Sequence, residues 1–238
     1  MGDYTNMSAY YDVIMTSGYY DYDQIVSQLL QQAKFRHVLE IGCGTGLIIE
    51  ALAKRRPDVE IAGIDLTQAM LDIAQQRLKG FPNVSLAREN VTNMQLSHPC
   101  EVAFSYGGVW YFVIDGDQEP FMVSHIPDEQ GNLEGLARVA AHISPGGQLL
   151  LGIQGPHHDY QKPISNGMVY GQQIDPHPHG FVKHYFLDDG PRRVMAQTVQ
   201  YRTYSFSQAL AMLENVGLHF QSDSRKGPQF LAFSKSNA

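Results

Sequence analysis

The sequence predicts an α/β fold built on a parallel, doubly wound sheet, with a helical segment before it and an added β-hairpin near its end. Three observations carry this expectation. Helical and strand periodicities alternate between residues 24 and 153. A glycine-rich turn stands between the first strand and the helix after it. Beyond residue 153 the rhythm changes to paired β runs, followed by one more helix and two closing strands.

Each element follows from its own residues. Over 24–35, Ile25, Val26, Leu29, Leu30 and Ala33 share one helical face and lead into the strand HVLEI at 37–41. The helix LIIEALAKRR at 47–56 is stopped by Pro57 and leads into VEIAGID at 59–65. The next helix opens with Thr67 as N-cap, buries Met70, Leu71, Ala74 and Leu78, and ends at Gly80 and Pro82. Strands are expected at VSLA 84–87, EVAFS 101–105 and QLLLGI 148–153. The last is entered through Pro145-Gly146-Gly147 after a helix carrying Leu133, Leu136, Val139, Ala140 and Ile143. The stretch 113–131 exceeds the usual βα connection of about 2–6 residues and is expected to cover a pocket.

GFVKHYFL at 180–187 and RVMAQTVQYRTY at 193–204 flank the turn Asp188-Asp189-Gly190-Pro191, which predicts an antiparallel hairpin. A final helix, N-capped by Ser207 and ended by Gly217, precedes LHFQS at 218–222 and QFLAFS at 229–234, joined through a loop containing SRKGP. The expected organisation is one domain over 1–238. Residues 1–34 form an N-terminal lid and helix, 35–153 a core, 154–206 a cap and 207–238 a C-terminal helix with closing strands.

Composition narrows the partners. Among 238 residues, 17 Lys and Arg stand against 24 Asp and Glu, a net charge of −7, so no basic field exists to attract nucleic acid or anionic lipid. Two cysteines, Cys43 and Cys100, cannot build a disulfide framework, and MGDYTNMSAY is not a secretory leader. Apolar runs such as Leu149 to Leu151 fall far short of the ~20 residues needed to cross a bilayer. A cytoplasmic protein, monomer or homodimer, acting on a small molecule with neither nucleic acid nor membrane as partner, is the expectation.

The segment from Val38 to Gly46 reads VLEIGCGTG, placing three glycines between a strand end and a helix start. Glycine there accepts positive φ and lets a ligand approach the backbone, at the sheet edge where nucleotide-like ligands sit. A dinucleotide turn would follow G-x-G-x-x-G, but here the glycines run G-x-G-x-G and Leu47 occupies the third place. Glu40, two residues before Gly42, would repel phosphate yet pair with an ammonium group. Asp65 ends the second strand, placed to accept hydrogen bonds from two ribose hydroxyls. Asn90 can offer an amide to an adenine edge, with Leu66, Met70 and Val91 as apolar walls. Together these residues describe an adenosine bearing an amino acid.

With the glycine motif 38–46, Asp65, Asn90, the segment Ala103 to Gly107 and the I-S-P-G-G turn at 143–147, the sequence resembles the class I S-adenosylmethionine-dependent methyltransferases of small-molecule type. The resemblance covers residues 35–153 by motif order. It implies a Rossmann-like, seven-stranded sheet with an antiparallel last strand, an N-terminal helical lid and an inserted β-hairpin cap, and S-adenosylmethionine as cofactor. It further implies that Glu40, Gly42, Gly44 and Gly46 hold the amino-acid part, Asp65 the ribose and Asn90 the adenine, with Ser105 on the cofactor wall. At Asn90 the family commonly has Asp. The chain is also similar to sugar-amine N-methyltransferases and glycine N-methyltransferase-like enzymes, through Tyr11-Asp12, Tyr22 and the extra hairpin. That likeness implies that Tyr11 and Tyr22 close over the methionyl end, Tyr22 against its carboxylate.

The segment SYGGVWYF after the fourth strand is where the methyl group is expected to meet its acceptor. Tyr111 stands where related enzymes often carry a base, and with an ordinary pKa of ~10 it reads first as an orienting or wall residue. His157 and His158 are the expected bases, since imidazole near its ordinary ~6.5 takes a proton at neutral pH, with Asp159 to orient one of them. No metal is expected. A site shared by His157, His158, His177, His179 and His184 is disfavoured by Pro176 and Pro178 and by the lack of a helical i, i+4 ligand pair. The expected reaction is methyl transfer to a nitrogen or oxygen of a small aromatic or amphipathic metabolite, in natural product biosynthesis. The alternatives are a cofactor-binding protein that performs another reaction or none, and a nicotinamide-dependent oxidoreductase, which Leu47 argues against.

Overall fold

In the computed structural model, residues 4–221 and 229–237 are described. The buried run Val38 to Ile41 makes β1 (His37–Ile41) the middle of a parallel sheet, between β2 (Glu60–Asp65) and β4 (Cys100–Ser105). β3 (Val84–Arg88) lies outside β2, and β7 (Ile143–Gln154) lies beyond β4, both parallel. β13 (Phe230–Lys235) pairs antiparallel with β7, and β12 (Leu218–Phe220) pairs antiparallel with β13. Among the described residues this gives the order β3-β2-β1-β4-β7-β13-β12, the seven strands with an antiparallel last strand that the resemblance implies.

Apolar stripes at helical spacing cover both faces. On one face, α2 (Tyr22–Gln32), α3 (Leu47–Arg55) and α4 (Gln68–Leu78) bury Ile25, Leu29, Ile49, Leu52, Leu71 and Ala74 in one cluster with Val38, Ile61, Val102 and Leu150. On the other, α5 (Glu129–His142) and α6 (Phe206–Glu214) bury Leu136, Val139 and Leu213 with Leu39, Ile41, Ala103 and Leu149. Because β1 has β2 on one side and β4 on the other, the strand order reverses there and opens a crevice at the carboxyl ends of β1 and β4.

The cap is wider than one hairpin. The end of β7, at Ile153 and Gln154, pairs parallel with β5 (Trp110–Val113). From there antiparallel pairing continues through β6 (Phe121–Ser124), β11 (Arg192–Ser205), β10 (Gly180–Asp189), β9 (Val169–His177) and β8 (Tyr160–Pro163). The expected hairpin is β10 and β11, two strands of a six-strand extension. Part of the stretch 113–131 is therefore not loop: FMVS at 121–124 is a strand paired with WYFV at 110–113, and both are buried with little alternation, which removes the period-2 signal that marks a strand. α1 (Ser8–Met15) stands before α2, and Met7, Ile14 and Met15 join the buried cluster of the cap.

Smaller expectations also shift. The N-cap of α6 is Ser205 rather than Ser207: its hydroxyl accepts from Gln208 N–H at 3.2 Å while the Gln208 side chain accepts from Ser205 N–H, a reciprocal capping box. Thr67 is the N-cap of α4 but makes no side-chain capping bond. Pro145 to Gly147 lie inside β7, not before it. The loop containing SRKGP, and Ser222 of the predicted strand, lie outside the described residues. Cys43 and Cys100 are free and buried. Among the described residues no helix is long and apolar enough to cross a membrane.

Candidate active site

The crevice is shaped first by glycine. Gly42 follows β1 at φ +76°, and a Cβ there would come within 2.9 Å of Gly108 Cα, so the turns after β1 and β4 touch backbone to backbone. Asp65, at the end of β2, holds the glycine turn: its Oδ2 accepts from Gly44 N–H at 2.9 Å and its Oδ1 from Thr67 N–H at 2.8 Å. Beneath the turn Glu40 is only 3% exposed, and its Oε2 has no hydrogen-bond partner. Burial, and next the charge of Asp65, push the Glu40 carboxyl well above the usual carboxylate range.

Above these residues lies a cleft of about 840 Å³, counting the open solvent at its mouth. Gly42, Gly44, Asp65, Leu66, Thr67 and Met70 line one end, and Gly107, Gly108, Val109, Tyr111 and His125 line the middle. Tyr4, Tyr11, Tyr19 and Tyr20 come from the N-terminal segment, and Tyr170, Lys183, Tyr185 and Tyr201 from the cap. The N-terminal segment is fastened by Asp12, which accepts from Thr45 Oγ1 at 2.6 Å and from the Arg77 guanidinium. Arg77 also donates to Thr45 O and to Glu50 Oε2, both at 2.9 Å. Across the roof, the hydroxyls of Tyr4 and Tyr185 meet that of Tyr201 at 2.8 and 2.7 Å.

Of the residues singled out from sequence, Tyr11, Gly42, Gly44, Asp65, Leu66, Met70 and Tyr111 line this cleft. Others stand off its wall. A Cβ on Gly46 would fall 2.7 Å from Leu78, so that glycine serves the packing of α3 on α4. Asn90 Oδ1 accepts from Thr92 N–H at 3.1 Å, closing a turn after β3, and Val91 is core beside Trp110 and Leu136. Ser105 is fully buried, its hydroxyl accepting from Trp110 N–H at 3.4 Å. Tyr22 sits near Glu40 and packs edge-on against Tyr20, with ring centroids 6.1 Å apart.

The base candidates divide. Burial pushes the Tyr111 phenol well above its ordinary value, so it keeps its proton and acts as a wall or donor. His157 borders a neighbouring hollow with Asp115 and Phe181. Burial, and then the charge of Lys183, push its imidazole down to about 3. Its Nε2 meets Gln154 Oε1 at 3.2 Å and its ring centroid lies 5.7 Å from that of Tyr111. His158 is exposed, and Asp159 accepts from Ile174 N–H at 2.8 Å instead of orienting a histidine. His184 pairs with Asp175 at 3.0 Å, and among the described residues no group of three or more His, Cys, Asp or Glu is arranged to hold a metal ion.

Two titratable, nitrogen-bearing cleft residues were among those not singled out from the sequence. His125 follows β6, with its ring 4.7 Å from that of Tyr201 and 6.0 Å from that of Tyr111. Burial, then Lys183, push it down to about 3, so it is neutral. Lys183 is 2% exposed, and burial pushes its amine down to about 7. The alternation in GFVKHYFL held the signal: Phe181, Lys183, Tyr185 and Leu187 share one phase, which puts a lysine among inward-facing apolar residues.

Residues 38–147 match a family described as methyltransferase domain. The match covers just under half of the chain. The ubiquinone biosynthesis O-methyltransferase of Alkalilimnicola ehrlichii is 29% identical over 125 residues, 52% of this chain and 44% of that one. The chain spans less than half the length of the curated relatives it matches first. An S-adenosylmethionine-dependent methyltransferase from Clostridium acetobutylicum superposes at a TM-score of 0.67 with 15% identity over 99% of both chains. CalS10, an amino pentose methyltransferase from Micromonospora echinaspora with S-adenosylmethionine bound, superposes at 0.65 with 14% identity, covering 95% of this chain and 97% of that one. The chain thus has the fold of these class I methyltransferases, extended by the cap sheet.

The chain's residues suit S-adenosylmethionine. A buried carboxyl oxygen without a partner calls for one, and an ammonium supplies it, its charge favouring the ionised carboxylate. Gly44 leaves the floor open, since a Cβ there would meet only the Tyr11 ring, 3.8 Å away.

Proposed function

We propose that the protein transfers a methyl group from S-adenosylmethionine to a nitrogen or oxygen of a small aromatic or amphipathic metabolite, in natural product biosynthesis. The observation that carries this reading is the unpartnered, buried Glu40 oxygen beneath a glycine turn whose cleft continues under an aromatic roof. A diphosphate would meet repulsion there, and an adenosyl amino acid finds a partner for its ammonium. S-adenosylmethionine, when bound, supplies a methyl group already activated on a sulfonium. The chain's own residues then bind, align and exclude water.

In this reading Glu40 holds the amino group, and Gly42 and Gly44 leave room for the amino-acid chain. Asp65 turns its remaining lone pairs to the ribose, while Leu66 and Met70 flank the base. Tyr11, pinned by the Asp12 bonds next to it, covers the floor. The buried phenols of Tyr111, Tyr185 and Tyr201 keep their protons, so they hold the acceptor by donation and do not remove a proton. His125, in the cleft, is neutral and available to accept a hydrogen bond from an acceptor hydroxyl or amine, while His157 stands on the neighbouring hollow behind Tyr111. The ubiquinone biosynthesis O-methyltransferase among the similar proteins supports an oxygen acceptor, and the amino pentose methyltransferase an acceptor that carries an amine. We place the protein in the cytoplasm, as a monomer or homodimer.

The test is transfer itself. Incubated with methyl-labelled S-adenosylmethionine and fractionated small metabolites, the protein is expected to add one labelled methyl group to a low-mass product, and Gly44→Arg to abolish this. Label found in no small product, at protein levels that bind the cofactor, would overturn the reading.

A further inference from the structure

Among the described residues Lys183 is a buried amine met only by aromatic rings. It stands on the inner phase of β10, between Phe181 and Tyr185, and lines the cleft from the cap side. Its Nζ lies 5.5–5.8 Å from the ring centroids of Tyr201, Phe181 and Tyr185. Among the described residues it makes no hydrogen bond and no ion pair. Buried amines are ordinarily paired, because isolating a charge in an apolar chamber destabilises the fold. A methionine of similar length would fill the same space without that cost.

The groups beside it point the same way. The hydroxyls of Tyr4, Tyr201 and Tyr185 form a chain of two contacts, so three O–H groups share two hydrogen bonds and one proton is left to donate. The cleft's carboxylate, Asp65, is engaged by Gly44 and Thr67 N–H; its charge reaches the Tyr4 hydroxyl, but no carboxylate bears on Lys183. His125 is neutral and brings no competing charge. Around Lys183 the cap end of the cleft therefore offers a donor and a cation with no anion to meet them.

We propose that the methyl acceptor carries an acidic oxygen, a phenol or a carboxylic acid on a small apolar body, and that this oxygen docks as an anion on Lys183 Nζ and the one free O–H of the Tyr4, Tyr201 and Tyr185 chain. The proposal rests on the methyltransferase reading above and names its substrate class. A protonated amine at the same place would face the lysine cation and have no carboxylate to offset it. Lys183 selects for acidic acceptors, and the aromatic walls select for a flat or apolar body.

The experiment uses the full chain saturated with S-adenosylhomocysteine and titrated with benzoate, 4-nitrophenolate, benzamide and benzylamine. At least one of the two anions is expected to bind roughly tenfold or more tighter than benzamide, and benzylamine to bind weakest. Benzoate alone would identify a carboxylic acid and 4-nitrophenolate alone a phenol. Lys183→Met is expected to erase the preference while leaving the affinity for S-adenosylhomocysteine unchanged, and Lys183→Arg to keep part of it. Equal binding of benzoate, 4-nitrophenolate and benzamide, no binding of either anion, a preference for benzylamine, or an anion preference that survives Lys183→Met would overturn the proposal. Failure of S-adenosylhomocysteine to bind would instead overturn the cofactor reading beneath it, and the two failures are seen in separate titrations.

Discussion

Replacing Lys183 with methionine should make the protein more stable, a direction opposite to most buried substitutions. The side chain is 2% exposed, and its amine falls from the ordinary lysine value of 10.5 to about 7 because burial disfavours the ammonium form. At neutral pH that drop corresponds to on the order of 4 kcal/mol of disfavoured protonation in the folded chain. Methionine keeps the length and apolar contacts and removes this penalty, so a gain of roughly 2–4 kcal/mol is expected at pH 7. The dependence on pH has a definite sign. An unfolded lysine keeps its proton up to about pH 10.5 whereas the folded amine loses it near 7, so the unfolded chain binds more protons across that window. Wild-type stability should therefore rise with pH between about 7 and 10.5 more steeply than that of Lys183→Met, and the gap between them should narrow. Urea unfolding of both proteins at pH 7 and pH 9, without ligand, measures this. A Lys183→Met variant less stable than wild type at pH 7 would refute the reasoning, because it would mean that the amine has a compensating partner.

Glu40→Gln should weaken S-adenosylhomocysteine by roughly ten- to a hundredfold in calorimetry, the worth of one charge-assisted hydrogen bond, without lowering the melting temperature of the unliganded protein at pH 7. Asn132 joins α5 to β5 and β6: its Oδ1 accepts from Trp110 Nε1 at 2.7 Å and Ser124 Oγ at 2.6 Å, and its Nδ2 donates to the Ile126 and Asp128 carbonyls. Asn132→Ala strands those groups in the core and should cost about 2–5 kcal/mol in chemical denaturation. His125 and His157 are both pushed down to about 3, while unfolded histidines titrate near 6.5. Their contribution to stability is present above pH 6.5 and is lost as pH falls toward 3, so a His125→Phe, His157→Phe double variant should show a shallower acid decline in unfolding free energy than wild type.

Much of the core was legible because local chemistry and tertiary role agreed there. The helical stripes of α2 to α4, the strand ends at Ile41 and Asp65 and the glycine turn between β1 and α3 each express one constraint that a sequence displays directly. The turn residues split once space was considered. Gly42 and Gly44 face the cleft, whereas Gly46 answers to Leu78, a contact that no spacing rule announces. Asn90 follows the expected strand, but its amide oxygen is spent on Thr92 N–H. The cap was only half legible. β10 and β11 alternate around a marked turn, while β5 and β6 are buried throughout and lack the alternation that marks a strand. His125 escaped notice because its role depends on β6 pairing with β11, a long-range contact. Lys183 was visible in the alternation of β10, but only a known inner face turns that alternation into a buried amine.

Calorimetric titration of the full chain with S-adenosylhomocysteine and, separately, with NAD tests the central claim most directly. One saturable site for S-adenosylhomocysteine, and no heat of binding for the dinucleotide, is the predicted result. Saturable binding of NAD with none of S-adenosylhomocysteine would contradict it.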